Sequence, residues 1–141
     1  MGEDRISRLI VEQRNITQLI ETLYNEIITL QNSIDERRRA LEFLEKFKDI
    51  DSDIDILFPL GGGLYLKAYI PKQENIYANV GAQTYLDKSI DDIIPEIKKV
   101  IEQLTKMLEE RRDALNKLRA RYDEITAELA ELYFKAGKGT R

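Results

Sequence analysis

The sequence predicts a mostly α fold with a small β insert: a long antiparallel coiled-coil hairpin carrying two β-hairpins at its bend. Three observations predict it. The first and last thirds of the 141 residues each repeat apolar positions at alternating steps of three and four. The middle instead alternates apolar and polar residues over short runs divided by Gly- and Pro-containing breaks. The two helical runs are also equal, about 45 residues or about 70 Å each, so folding back on one another buries both seams.

The N-terminal seam starts at Ile6 and passes through Leu9, Gln13, Ile16, Ile20, Leu23, Ile27, Leu30, Ile34, Arg37, Leu41 and Leu44. Only Gln13 and Arg37 interrupt it. A period of 3.5 reads as coiled coil rather than as an ordinary amphipathic helix. The C-terminal seam is Ile90, Ile94, Ile97, Ile101, Leu104, Leu108, Arg111, Leu115, Leu118, Tyr122, Ile125, Leu129 and Leu132. Acid-first pairs four residues apart, such as Glu42 with Lys46, suit exposed helix faces. Ser89 is placed to cap the second helix, with Asp92 three residues on. Pro95 then falls inside it, which predicts a kink or a later start.

Between the helices, Ile54, Ile56, Phe58 and Leu60 alternate with Asp53, Asp55 and Leu57. Leu64, Leu66, Ala68 and Ile70 oppose Tyr65, Lys67 and Tyr69, and Ile76, Ala78 and Val80 oppose Tyr77 and Asn79. A fourth short run follows at 83–87. With turns at Gly61-Gly62-Gly63 and Gly81-Ala82, this reads as four strands in two hairpins, Pro59 confining the first strand to an edge or a bulge. The expected organisation is one domain over residues 1–141. A coiled-coil helix occupies 1–48, the double β-hairpin 54–87 and a second helix 90–136, and a flexible basic tail fills 137–141. Short strands with open edges are marginal alone, and two helices attached at one end cannot cover them. The sheet therefore needs strands from another subunit: the bend is an assembly module.

Composition narrows the chemistry. With 34% charged and 43% hydrophobic residues and a net charge of −4, the chain is neither a polybasic nucleic-acid arm nor a disordered solvating chain. It lacks Cys and His, so no thiol nucleophile, disulfide, Cys-based zinc site or imidazole base is available. No apolar run reaches the ~18 residues of a membrane span, and the N-terminus has no signal-peptide pattern. A cytoplasmic protein is expected, and the Ile-, Glu- and Arg-rich, Cys-free composition fits a thermophile.

The catalytic motifs fail one by one. Asp51, Asp53 and Asp55 begin like a calcium loop, but Ile56 and Gly62 stand where glycine and glutamate are required. The triple glycine misses the dinucleotide fingerprint, with Leu66 at its third glycine position and a strand in place of the helix. Gly139 interrupts the Gly-Lys of the C-terminal "GKGTR", so it makes no phosphate loop. The carboxylates fall on solvated helix faces, and Arg37 to Arg39 are not interleaved with aromatics. The expectation is no enzyme, no metal and no cofactor.

What remains is surplus apolar side chains. Ile10 and Val11, and at the other terminus Tyr133 and Phe134, fall at e and f positions. An antiparallel hairpin gathers all four at the end farthest from the sheet. Apolar groups collected on a surface mark binding; the alternative is that they thicken the local seam or are tolerated singly. Leu19, Ile28, Val100 and Met107 are off-seam as well, so the surplus is not confined to the tips.

Heptad helix, double hairpin, heptad helix resembles the alpha class of archaeal prefoldin subunits. The most specific residues are "PLGGGLYLKA" at 59–68 and "NVGAQTYL" at 79–86. Two hairpins point away from the beta class, which has one. The resemblance implies an ATP-independent chaperone in which two alpha-class and four beta-class subunits join their hairpins into oligomeric β-barrels. Coiled coils hanging from the barrels hold unfolded client proteins at their tips and pass them to a group II chaperonin. No nucleic acid and no membrane are implied. It assigns client binding to Ile6, Leu9, Ile10, Val11, Leu129, Leu132, Tyr133 and Phe134. Oligomerisation falls to Ile56, Phe58, Leu60, Leu64, Leu66, Ala68, Ile70, Ile76, Ala78 and Val80. Two alternatives stand beside it: a coiled-coil scaffold that binds no unfolded protein, and a prefoldin-like chaperone that self-assembles into homo-oligomers or filaments.

Overall fold

The computed structural model describes residues 2–139; positions 140 and 141 of the expected tail lie outside the described residues. The order is α1 (Gly2–Lys48), β1 (Ile54–Gly61), β2 (Leu64–Ile70), β3 (Asn75–Gly81), β4 (Thr84–Ser89) and α2 (Ile90–Gly139). The chain divides into two compact units, one made of Met1–Ile34 with Leu104–Arg141, the other of Asp35–Gln103.

The first unit is a pair of antiparallel helical segments. Arg5 pairs with Glu128, Glu12 with Arg121 and Glu26 with Arg111, so rising numbers on α1 meet falling numbers on α2. Its core is Leu9, Ile16, Ile125 and Leu129, with Ile6, Ile10, Ile20, Leu118, Tyr122 and Leu132 packed against it. Every expected seam residue of both helices is at least half-buried, including Gln13, Arg37 and Arg111. Gln13 is accommodated because its amide donates to the Thr126 hydroxyl at 2.9 Å.

The second unit joins helix ends to strands. Leu44, Phe47, Ile90, Ile93 and Ile94 form its core, and Leu41, Ile97 and the strand residues Ile54, Ile70 and Ile76 pack against them. Phe47 and Ile93 each stand one position before a heptad position, and the seam alone did not place them here. Phe47 also stacks on Phe43, with ring centroids 5.6 Å apart.

Helix α1 closes with a tighter last turn, in which the amides of Asp49 and Ile50 donate to the carbonyls of Lys46 and Phe47. Helix α2 begins where its cap dictates, the Asp92 amide donating to the Ser89 hydroxyl at 3.1 Å. Strand β4 runs straight into that cap, so no linker separates sheet from helix. A later start, one of the two expectations raised by Pro95, does not occur: the proline sits inside α2. The helix also extends to Gly139, past the boundary at 136 expected from the sequence.

The two hairpins share a plan. β1 pairs with β2 and β3 with β4, each as its own antiparallel two-stranded sheet. Each has a register irregularity just before its turn, between Pro59 and Gly61 and between Asn79 and Gly81. Each then reverses through two residues of positive φ, the geometry that matches strand twist. In the first hairpin these are Gly62 and Gly63, with φ 60° and 78°; in the second they are Ala82 and Gln83, with φ 50° and 58°. The irregularity recurs at Asn79, which keeps its N–H; what the two places share is a glycine of positive φ, Gly61 at 99° and Gly81 at 105°, and Pro59 is tolerated where the ladder is already broken.

Candidate functional site

Two regions leave apolar surface open, one in each unit. In the strand unit, burial fades from foot to turn. Ile54, Ile56, Ala68, Ile70, Ile76 and Ala78 are half-buried, whereas Phe58, Leu60, Leu64, Leu66 and Val80 are exposed. The opposite faces are open too: Leu57 is 67% accessible and Tyr77 73%. Tyr65, Tyr69 and Tyr85 complete that second face, and the Lys67 ammonium lies 5.4 Å from the Tyr69 ring centroid. The strands thus keep their apolar side half-covered at the foot and leave it uncovered toward the turns.

In the helical unit, the eight expected client-binding residues separate into two groups. Leu9 and Leu129 are buried, and Ile6, Ile10 and Leu132 are half-buried against them, so these five belong to the seam. Val11, Tyr133 and Phe134 are exposed, at 55%, 53% and 63%. Val11 lines a shallow apolar groove with Ser7, Arg8, Glu12 and Asn15. The off-seam residues Leu19, Ile28 and Met107 are exposed along the same unit, as is Tyr24.

Ion pairs flank the terminal seam. The Arg121 guanidinium meets the Glu12 carboxylate through two nitrogens, at 2.7 and 3.0 Å, and also reaches Glu124 at 3.2 Å. The hydrogen bond from Arg121 holds the Glu12 carboxyl below the usual carboxylate range, and the bonds it donates to Glu12 and then to Glu124 push the guanidinium higher still. Arg5 contributes a second two-point contact to Glu128.

No group of three or more His, Cys, Asp or Glu among the described residues is arranged to hold a metal. Asp53, from the failed calcium pattern, instead accepts the Lys72 amide at 2.9 Å. Among the described residues no helix is long and apolar enough to cross a membrane.

Two heptad helices flanking a double hairpin match a known family across most of the chain: residues 16–135 fit the prefoldin subunit family. The chain belongs to the prefoldin family. This is a family of chaperones rather than of enzymes. A prefoldin subunit alpha from Thermofilum pendens is 31% identical over 129 residues, covering 92% of this chain and 99% of that protein. A second, from Methanoregula boonei, is 28% identical over 140 residues, covering 99% and 91%. Among solved structures, a filamentous prefoldin from Methanocaldococcus jannaschii superposes with a TM-score of 0.64 at 22% identity. The match covers 83% of this chain and 97% of that one, and it establishes the shared fold.

Proposed function

We propose that this prefoldin subunit is an ATP-independent holdase that joins other prefoldin subunits through its strands and holds unfolded proteins at its coiled-coil tip. The observation that carries this reading is the division of apolar surface. The helix seam is covered at every heptad position, whereas eleven large apolar or aromatic side chains between Leu57 and Leu86 stay exposed. Exposed apolar surface on two separate hairpins with open edges calls for strands from other chains, and beta-class subunits would supply them in a barrel. Two alpha-class and four beta-class subunits then present six tips to one client. Weak apolar contacts from Val11, Tyr133 and Phe134 on each alpha-class tip add by avidity to those of the other tips, without demanding a client sequence. Release to a group II chaperonin completes the cycle in a cytoplasmic setting.

The test is light scattering from a denaturant-unfolded model protein, with this chain alone and mixed with a beta-class subunit, in the absence of ATP. The comparison is a Val11→Ser, Tyr133→Ser, Phe134→Ser variant, which leaves Ile10 in the seam. The parent assembly suppresses aggregation and the variant assembles normally but fails to suppress it. A parent that assembles without suppressing aggregation would make the protein a scaffold. Native mass of the chain alone distinguishes a self-assembling homo-oligomer or filament from one that waits for beta-class partners.

A further inference from the structure

The four residues 71–74 between the hairpins tie the strands to both helix ends. On one side the Glu74 carbonyl accepts the Ile90 amide, the first of α2, at 2.8 Å. On the other, Lys72 makes several contacts at once. Its Nζ donates to the carbonyls of Phe47 and Lys48, both at 3.1 Å, and lies 5.2 Å from the Phe47 ring centroid. Its amide donates to the Asp53 carboxylate, across the open foot of β1 and β2. The Lys48 carbonyl is an orphan acceptor of the last turn of α1, and the Phe47 carbonyl, which already accepts the Ile50 amide, takes the ammonium as a second donor; a cation there also complements the helix dipole.

These contacts do something that the apolar packing beneath them cannot. Ile54 and Ile70 seat the first hairpin on the helix ends, but burial is non-directional and permits a hinge. Hydrogen bonds to carbonyl lone pairs are directional. A single ammonium held by two successive carbonyls, with its amide fixed to the residue preceding β1, leaves the hairpin one direction of exit.

We infer that Lys72 is a positioning residue for assembly: it sets the angle at which hairpin β1–β2 leaves α1 and so aims the assembly strands. The inference rests on the proposed assembly role of those strands. Lys48 is exposed, so water can replace the ammonium at its carbonyl. Losing the ammonium therefore frees the angle with little loss of stability.

The chain has no cysteine, which allows clean spin labelling at Arg39→Cys and Tyr65→Cys, one on α1 and one on β2. Lys72→Met keeps the stem over Phe47 and removes the donors. It is expected to broaden the label-to-label distance distribution about twofold and, without labels, to weaken association with a beta-class prefoldin subunit by about tenfold. Helical circular dichroism and the unfolding midpoint stay near the parent's. Lys72→Arg, which keeps a cation with several donors, restores the narrow distribution and most of the association. A Met variant with the parent's distribution overturns the inference. So does one whose loss of association merely follows a lowered unfolding midpoint. If the parent itself joins no subunit, the assembly reading fails, while the label distances still decide whether Lys72 fixes the angle.

Discussion

The helical seam and the hairpin strands are written in equally regular patterns, yet one is covered and the other is not. Leu9 and Ile125 are fully buried because each helix supplies the surface the other lacks. Phe58 and Leu66 sit opposite each other in the β1–β2 ladder and remain exposed, because a two-stranded sheet has no second layer. Periodicity therefore states which side chains want cover; it does not state whether the cover comes from the same chain. In the seam, sequence distance is enough. In the strands, the missing layer points outside the molecule.

The largest effect expected from breaking this contrast is at the strands. Phe58→Asp with Leu66→Asp should abolish subunit association in native mass measurements. The helical circular dichroism of the isolated chain should be unchanged. A double variant that still associates would place the interface elsewhere. Next come Leu9→Ala and Ile125→Ala, each expected to cost about 2–5 kcal/mol in denaturant unfolding, because a buried branched side chain leaves a cavity. Leu66→Ala, made in the isolated subunit, should cost about 0.5 kcal/mol or less in the same assay. Equal costs at Leu9 and Leu66 would dissolve the distinction between the regions.

The two turns sharpen the comparison within the strand unit. Gly62 and Gly63 occupy left-handed geometry freely, whereas Ala82 and Gln83 hold it against their Cβ atoms. Ala82→Gly should therefore stabilise the second hairpin by up to about 1 kcal/mol, and Gly62→Ala should weaken the first by a similar amount. Hydrogen exchange of the β3–β4 and β1–β2 amides reads each change separately. A parent-like exchange rate after Ala82→Gly would show that the turn carries no strain.

The smallest effect concerns the ion pairs. The Glu12 carboxyl is lowered from an ordinary value of 4.5, chiefly by its hydrogen bond from Arg121. A depressed acid adds stability that is present above its unfolded value. That stability is lost as pH falls below about 4.5 and through the folded value. Glu12→Gln should remove this acid-side dependence: the variant is slightly less stable than the parent at pH 7 and level with it at pH 3, the difference at pH 7 being small because the pair is exposed and screened. Chemical unfolding at pH 3 and pH 7, parent against variant, checks the sign.

Much of the architecture was legible because helices and strands announce themselves by different periods. The heptad from Ile6 to Leu44 and its counterpart from Ile90 to Leu132 marked both seams, and the glycines at 61–63 and 81 marked both reversals. Ser89 marked the start of α2 through its cap. Phe47 and Ile93 were not legible as core, because they lie off the heptad positions and are buried where the helix ends and the strand feet Ile54, Ile70 and Ile76 come together, and strand feet leave no mark on a heptad. Lys72 gave no signal at all: a lysine after a proline looks like any solvated linker residue until the end of α1 is placed beside it. The site divided in the same way. Surplus side chains could be counted along the sequence, but only burial separated Val11, Tyr133 and Phe134, which are open, from Leu9 and Leu129, which the seam consumes.

The sequence by itself determined the helices, the strands, their order and the absence of Cys and His chemistry, since each is a local or compositional property. Tertiary structure decided which apolar residues stay uncovered and how the linker at 71–74 ties the hairpins to the helix ends. Burial and directional hydrogen bonding depend on what lies alongside in space, and neither is encoded in the spacing of residues along the chain.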